Sequence, residues 1–379
     1  MQKLGLYIHI PFCERKCLYC DFLSFGGADA SAREAYVRAL IAEIASQGES
    51  YGGAFRVDSV FLGGGTPSLL SAEQLTRILS ELSRRFSMTR DCETTMEANP
   101  GSLDARKLEA ALSWGVNRLS LGAQSLSDEL LRALGRVHAR ADFLATYEAA
   151  RRAGFANINA DLMFAFPGQT RADWRETLAE VMDLRPEHIS FYSLQAEEGT
   201  PMGEALREGR LTATDEETDR EMYRFALRAL ADAGYERYEI SNAAKPGFRC
   251  RHNLKYWSMD AYLGLGLGAH SYVDGVRFSN VEGMDAYLAA ARGDGAFRER
   301  THVNSREDRI SEYMFLGLRR ADGVSEADYA REFGEDVRAR FGKEIERLAG
   351  EGLLERRSGA LRLTPRGIDV SNRVFVAFV

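Results

Sequence analysis

The segment Leu4-Gly-Leu-Tyr-Ile-His-Ile-Pro-Phe-Cys13-Glu-Arg-Lys-Cys17-Leu-Tyr-Cys20 decides how this chain is organised. It opens with an apolar run, Leu4 to Ile10, that is typical of a buried strand. It closes with three cysteines at C-x3-C-x2-C spacing, so the three thiols share one short loop directly after the strand. Loops at the carboxyl ends of parallel strands form the active-site rim of α/β folds. The segment therefore predicts a metal site on a strand–loop–helix framework.

Five further strand-like segments alternate with helical stretches through the first half of the chain. The predicted strands are Val57 to Leu62, Glu93 to Ala98, Asn117 to Leu121, Asn157 to Met163 and His188 to Leu194. Six strand–helix units imply parallel strands joined by right-handed crossovers. Six are too few for a closed eight-stranded barrel, so they predict an α/β fold with a curved, partial (βα)6 barrel.

Three amphipathic helices stand out between these strands. One apolar stripe, Tyr36 to Ile44, follows a predicted capping box at Ser31 and Glu34, and a second, Leu75 to Phe86, follows a box at Ser71 and Gln74. Trp174, Leu178 and Val181 mark the third.

Polar or glycine-rich groups lie at the carboxyl ends of the predicted strands. They are the cysteine loop, Gly63 to Thr66, Glu97, Gln124 and Asp161. Their common position predicts one shared site.

The pattern changes after Leu194. The sequence predicts a helix over Asp215 to Ala233, a strand over Tyr235 to Ile240, and an irregular segment containing Cys250, His252, Asn253, Tyr256 and Trp257. A glycine run from Gly264 to Gly268 predicts a place where backbone passes close to another part of the molecule. From about Ser305, helices followed by a hairpin at Ser358-Gly359 predict a small winged-helix-like α+β domain. The expected domains are residues 1–235, 236–304 and 305–379.

Composition places the chain among soluble globular proteins. Hydrophobic residues make up 45% and charged residues 28%, and the net charge of -7 gives no basic footprint for nucleic acid. No stretch approaches the ~18 apolar residues of a membrane span. The N-terminus lacks the apolar region and cleavage site of a secretory signal, so a cytoplasmic location is expected. Five cysteines, three of them within eight positions, do not fit a disulfide framework.

The cysteine triplet fits an iron–sulfur cluster. A [4Fe-4S] cubane usually takes four thiolates, so Cys13, Cys17 and Cys20 leave one iron open to a small molecule. Zinc is the alternative reading. Structural zinc sites need four ligands and typically pair two cysteine or histidine clips. Only one clip exists here, and Cys92 and Cys250 are remote in sequence.

This triplet is the signature of the radical-SAM superfamily, and the chain is identified as a member of it. Flanking residues resemble one branch, the oxygen-independent coproporphyrinogen oxidases and the HemW-type heme chaperones. The matching segments are Tyr7-Ile-His-Ile-Pro-Phe-Cys13, Tyr19-Cys20-Asp21-Phe22, Gly63-Gly64-Gly65-Thr66-Pro67-Ser68, Glu97-Ala-Asn-Pro100, Ser120-Leu-Gly-Ala-Gln124-Ser125 and Asn159-Ala-Asp161-Leu-Met163. The resemblance implies that the open iron chelates S-adenosylmethionine (SAM), whose reductive cleavage gives a 5′-deoxyadenosyl radical.

The resemblance also implies a set of SAM contacts. The matching positions are Tyr7, Gly64, Gly65, Thr66, Glu97, Gln124, Arg136 and Asp161. Glycines on a strand-to-helix turn let the backbone approach the methionine amino group. Carboxylates accept hydrogen bonds from an ammonium or a ribose hydroxyl, and an arginine fork suits a carboxylate.

Two departures from the oxidases favour the chaperones. The oxidases carry a further cysteine where this chain has Phe22, and they have a long extension before the first strand, whereas six residues precede Tyr7 here. The segment from Arg251 to Trp257 also matches the HNxxYW motif of HemW-type proteins. The resemblance therefore implies that His252 contacts heme, with Cys250 and His270 as further candidate ligands, because imidazole is a standard axial ligand of heme iron.

The leading hypothesis is a HemW-like heme chaperone that delivers heme to respiratory-chain hemoproteins at the membrane. Cluster and SAM would then be structural or regulatory cofactors, and peripheral contact with the membrane is compatible with this delivery. The alternative is an enzyme, an oxygen-independent coproporphyrinogen III oxidase that forms protoporphyrinogen IX. A third hypothesis is a radical-SAM enzyme with another substrate.

Overall fold

Twelve strands form one continuous sheet in the computed structural model, which describes residues 1–379. Two short additional sheets complete the strand set. The strands are β1 Gln2–Ile10, β2 Phe12–Cys13, β3 Phe25–Gly26, β4 Phe55–Gly64, β5 Met88–Ala98, β6 Arg118–Gln124, β7 Ile158–Phe164, β8 His188–Ser193, β9 Glu236–Glu239, β10 Asn242–Ala244, β11 Tyr262–Leu265, β12 His270–Val273, β13 Val276–Asn280, β14 Arg298–Val303, β15 Val324–Ser325, β16 Leu354–Arg357 and β17 Ala360–Leu363.

Helices connect and cover these strands. They are α1 Ala30–Tyr51, α2 Ala72–Arg85, α3 Ala105–Ser113, α4 Asp128–Ala133, α5 Arg140–Ala153, α6 Arg171–Asp183, α7 Pro201–Arg207, α8 Glu216–Asp232, α9 Arg251–Ser258, α10 Met284–Ala291, α11 Arg306–Gly317, α12 Glu326–Phe333, α13 Val337–Gly350, α14 Pro365–Asp369 and α15 Ser371–Phe375.

The six predicted parallel strands are present as neighbours. β1, β4, β5, β6, β7 and β8 lie side by side, each parallel to the next. Their register places Glu97 opposite Ser120, Ser120 opposite Asn159, and Gly122 opposite Asp161. The predicted α/β fold with six strand–helix units is confirmed, and its polar strand ends are aligned.

The region 236–304 adds strands to both edges of this framework. β10 and β9 extend the sheet beyond β8 in antiparallel fashion. At the other edge β11 pairs parallel with β1, and β12, β13 and β14 follow antiparallel. Both edges of the six-stranded framework are thus covered, and the start of the glycine run, in β11, lies beside the first strand.

Several helix starts follow the local capping rules. The Ser71–Gln74 capping box of α2 is present, and Asp215 caps α8. The predicted box at Ser31 is wrong, because the N-cap of α1 lies two residues earlier, at Asp29, which accepts from Ala32 N. Glu34, instead of closing a box, pairs with Arg77 on α2 at 2.7 Å.

The segment after Cys250, predicted to be irregular, is the helix α9. Its N-terminus is capped by a distant residue, since Glu93 on β5 accepts from Arg251 N and His252 N at 3.0 Å each. No residue just before Arg251 caps the helix with its side chain. A cap that comes from another strand leaves no local signal in the sequence, which is why the prediction failed.

The glycine run makes the close approach that was predicted. A Cβ atom at Gly266 would lie 2.6 Å from the Tyr36 hydroxyl and 2.7 Å from the His9 carbonyl oxygen. Gly266 also has a φ of 104°, in the left-handed region that favours glycine. The run therefore holds β11 and its following turn tightly against β1 and α1.

A separate small core organises the last part of the chain. Helices α11, α12 and α13 precede the β16–β17 hairpin, and β15 adds a third strand beside β17. Twelve buried residues, including Ile310, Tyr329 and Leu361, form this core. The winged-helix-like arrangement of helices and hairpin agrees with the prediction. Contacts such as Ala321 N to Tyr238 O, 2.9 Å, join it to the sheet.

Candidate functional site

The cysteine loop leaves β1 at Ile10 and is tied at its base. Strands β2 and β3 pair across it, and Phe25 N donates to Pro11 O at 2.7 Å. Cys13, Cys17 and Cys20 are free and partly exposed, and all three line one wall of a cavity of about 380 Å³. The fold therefore brings the three predicted metal ligands to one surface.

The donor set fits a cubane cluster better than a single ion. In residues 1–379 no group of three or more histidine, cysteine or carboxylate side chains is spaced to hold one metal ion. In a [4Fe-4S] cubane the three cysteine thiolates bind three different irons, so their sulfur atoms are spaced more widely than the ligands of a single ion. The zinc reading would need all its ligands around one centre.

The opposite walls of the cavity carry the residues implied for SAM. Seven of the eight line it, namely Gly64, Gly65, Thr66, Glu97, Gln124, Arg136 and Asp161. Tyr7 lines two adjoining cavities of about 650 and 260 Å³, and the smaller one shares Gly64, Glu97 and Asp161 with the first. Residues from five strands and their loops thus converge on the cysteine loop, as the strand-end pattern predicts.

Glycines dock the turn after β4 against the cysteine loop. Gly64 has a φ of 102°, and Gly65 N donates to Ile10 O at 2.9 Å. A Cβ atom at Gly65 would lie 2.7 Å from the carbonyl oxygens of Ile10 and Phe12, which are rigid backbone atoms. Only glycine therefore permits this contact. The next residue, Thr66, donates through Oγ1 to the Cys13 sulfur at 3.6 Å.

Arg136 connects the cysteine loop to the barrel from the other side. Its guanidinium donates to Asn99 Oδ1 and Gly122 O, both at 2.8 Å, and to the Cys17 sulfur at 3.5 Å. Asn99 in turn donates to Thr66 Oγ1 at 2.9 Å. Asn99 thus links the two groups that touch cysteine sulfurs. Sequence reasoning missed it, although it lies within the matching segment Glu97-Ala-Asn-Pro100.

The two carboxylates of the site differ in their hydrogen bonds. Asp161 accepts from Tyr192 OH at 2.7 Å, Asn159 Nδ2 at 2.8 Å and Ser120 Oγ at 3.1 Å. Glu97 accepts from Gly64 N at 3.1 Å. Burial, followed by the Asp161 charge, raises the pKa of Glu97 to about 8. Asp161 is thus held by three side-chain donors, whereas Glu97 accepts a single hydrogen bond from a backbone N–H.

Gln124 holds a strained position at the end of β6. Its φ is 63°, in the left-handed region, although it is not a glycine. Such conformations cost about 1–3 kcal/mol and concentrate at ligand sites. This backbone conformation turns the chain sharply at the end of β6, next to Gly122, where the strand meets the cavity.

We expect Glu97→Gln to weaken SAM binding about ten-fold or more above pH 8 and to remove part of its pH dependence. The resemblance implies that Glu97 contacts SAM, and a carboxylate would accept a stronger, charge-assisted hydrogen bond from its ammonium or hydroxyl groups than a neutral carboxyl or amide would. Since Glu97 ionises near pH 8, wild-type affinity should rise as pH increases through that value. Equilibrium dialysis with labelled SAM from pH 6.5 to 9 measures this. Parallel pH profiles in both proteins would contradict it.

Comparisons with known proteins agree with this geometry. The model of the Radical SAM superfamily matches residues 7–181, and that of the HemN C-terminal domain matches residues 304–370. The heme chaperone HemW of Bacillus subtilis is 39% identical over 98% of both chains. That of Lactococcus lactis is 35% identical over 98% of this chain and 96% of its own.

The chain belongs to the HemW family.

A solved structure agrees with the fold of this HemW family member. Coproporphyrinogen III oxidase (HemN) from Escherichia coli, a radical SAM enzyme, superposes with a TM-score of 0.85 at 22% identity. The match covers 100% of this chain and 90% of that one. At this level of identity the match supports the shared fold and not a shared activity. None of the helices combines the length and apolar character needed to cross a membrane.

The HNxxYW segment, Arg251 to Trp257, lies on α9, which packs against β4 and β5. His252 is fully buried. Its Nδ1 lies 2.9 Å from Ser59 Oγ and its Nε2 lies 2.9 Å from Tyr256 OH. Burial, followed by the charge of Lys255, lowers the pKa of His252 to about 3. The imidazole is therefore neutral with both ring nitrogens occupied, and heme contact by His252 stays a prediction.

The other two candidate heme ligands lie in contrasting places. Cys250 is fully buried, donates to Glu93 Oε1 at 3.5 Å, and burial raises the pKa of its thiol to about 12. A thiolate is therefore disfavoured at this position. His270 is exposed and lines the cavity of about 650 Å³ together with Tyr7 and Phe22. Of the three candidate ligands, His252 and Cys250 are therefore shielded from a bound ligand, and His270 is open to the cavity.

Proposed function

We propose that this chain is a heme chaperone of the HemW type. The observation that carries the proposal is the position of Phe22, whose side chain is 62% exposed. Phe22 lines the cysteine cavity, the 650 Å³ cavity and the smaller one between them. The related oxidases carry a further cysteine at this position. This chain instead has an exposed aromatic ring where the cysteine cavity meets the wider cavity.

The cofactors in this proposal are a [4Fe-4S] cluster on Cys13, Cys17 and Cys20 and SAM beside it. Three thiols on one wall and the fork of Arg136 facing them fit such a pair. When bound, the cluster would supply an electron and an iron that chelates the methionine end of SAM. Glu97, Asp161 and the glycine turn would orient the nucleoside and amino groups. In a chaperone these groups fix the shape of the cysteine loop.

Heme is the cargo, and the wide cavity is its proposed place. The volume of about 650 Å³ falls within the roughly 300–1,000 Å³ of ligand pockets. Aromatic side chains, among them Phe22, Phe25 and Tyr262, line it, and such rings pack well against a flat porphyrin. An open cavity beside an exposed loop also suits a ligand that has to leave again.

The recipients in this proposal are respiratory-chain hemoproteins at the membrane, reached from the cytoplasm. Leu18, Phe22 and Phe25 are exposed apolar side chains on the cysteine loop. Exposed apolar groups of this kind support contact with another surface, either a recipient protein or a peripheral membrane contact. Delivery would then occur from the same face that holds the heme.

Titration of heme into anaerobically reconstituted protein tests this function. We expect a saturable Soret shift in wild type and at least a ten-fold weaker affinity in Phe22→Ser, because the apolar contact is lost. Phe22→Leu is the matched control and should keep most of the affinity. If wild type shows no saturable shift, the chaperone proposal fails. Turnover of coproporphyrinogen under the same conditions would then establish the oxidase alternative.

A further inference from the structure

We propose that His270 is the protein ligand of the heme iron, in the wide cavity beside the cysteine loop. The inference rests on the proposed chaperone function and assigns the contact that this function needs. An axial histidine must present a free ring nitrogen to open space large enough for a porphyrin. Access and hydrogen bonding therefore decide among the six histidines of the chain.

Four of the six are buried with both ring nitrogens engaged. They are His9, bonded to Tyr7 OH and Leu23 O, His138, bonded to Arg136 and Ala123 O, His188, bonded to Asn159 and Tyr238, and His252, bonded to Ser59 and Tyr256. Coordination of iron by any of them would break an internal hydrogen bond and leave its buried partner unsatisfied. Each such loss costs about 1–3 kcal/mol.

The two exposed histidines differ in what surrounds them. His302 lies on β14, pairs with Asp308 at 3.3 Å and does not line the wide cavity. His270 lines that cavity, and its ring makes no hydrogen bond to another protein group. It is the one imidazole of the chain that combines a free side chain with a cavity of ligand size.

The backbone that carries His270 is rigid. The turn before it is held by fully buried Glu43, which accepts from Gly266 N at 2.8 Å, and by the Tyr36 hydroxyl, which accepts from Leu267 N at 3.1 Å. His270 itself begins β12 and pairs with Ser279 on β13. The backbone is thus ordered before heme binds, so that only the side-chain rotamer of His270 has to be fixed when the ring binds iron.

The cavity in front of His270 suits one face of a porphyrin. Phe22, Phe25 and Tyr262 line it with aromatic rings, and its charged lining residues are Asp21, Glu282 and Lys16. The two carboxylates would repel heme propionates, whereas the positive charge of Lys16 would attract one of them.

Chemical rescue of a glycine variant tests the assignment. Ferric heme is titrated into anaerobically reconstituted wild type, His270→Gly, His302→Gly and His252→Ala, with Soret and low-temperature EPR spectra recorded. We expect His270→Gly to bind heme at least ten-fold more weakly with a changed spin state, and added imidazole to restore the wild-type spectrum. His302→Gly is the matched exposed control and should behave as wild type.

The outcomes distinguish a failure of the proposed chaperone function from a failure of the His270 assignment. If wild type binds no heme, the chaperone function itself fails. If wild type binds heme and His270→Gly gives the same affinity and spectrum, or imidazole does not restore the signal, His270 is not the ligand and the chaperone proposal stands. Loss of the heme spectrum in His252→Ala with retained cluster content would move the ligand to α9.

Discussion

Replacing Cys17 by serine is expected to abolish the visible absorption of the cluster and, with it, SAM binding. Serine is a poor ligand for iron–sulfur clusters, because they select soft thiolates. The Cys17 sulfur also accepts from Arg136, which links the loop to Asn99 on the barrel. The variant should therefore lose both a metal ligand and a contact that positions the loop. Iron and sulfide content after anaerobic reconstitution, followed by dialysis with labelled SAM, measures both losses.

Cys92→Ser is the matched control for this experiment. Cys92 lies on β5, is partly exposed and lines none of the three cavities around the site. It should keep full iron content and SAM affinity. A normal cluster in Cys17→Ser, or an equal loss in Cys92→Ser, would refute the assignment of the cysteine loop.

His252→Ala is expected to destabilise the protein and to leave heme binding in place. The substitution removes the hydrogen-bond partner of Ser59 and Tyr256 in a fully buried setting and opens a cavity between α9 and β4. Losses of this kind amount to about 2–4 kcal/mol. The thermal midpoint of the cluster-free protein should therefore fall by several degrees, while the Soret titration of the reconstituted variant stays close to wild type. An unchanged midpoint would contradict the packing role of His252.

The acid stability of the two proteins provides a second measurement. His252 has a pKa of about 3 in the folded state against an ordinary value of 6.5. Between these values the unfolded chain binds a proton that the folded chain does not, so the His252 contribution to stability falls as pH decreases below 6.5. His252→Ala removes this contribution. Its thermal midpoint should depend less steeply on pH between 6.5 and 4.5 than that of wild type.

The sequence by itself determined the strand–helix framework and the place of the candidate site at the strand ends. Apolar runs and helical stripes are local patterns, and they predicted all six parallel strands and the capping box at Ser71. The cysteine spacing and the polar strand ends are also local. Because the carboxyl ends of parallel strands meet at one rim, these patterns were enough to predict that Cys13, Gly65 and Glu97 share a cavity.

Tertiary structure decided which histidine is buried and which is free. His252 is satisfied by Ser59, which is 193 positions away, and its helix is capped by Glu93, which is 159 positions away. His270 is left free because Glu43 and Tyr36 hold the backbone before it rather than its ring. Burial and hydrogen bonding of a side chain depend on the residues that the fold packs against it. The resemblance to a family motif marked His252 as a candidate and left His270 as a further option, and only long-range packing distinguished them.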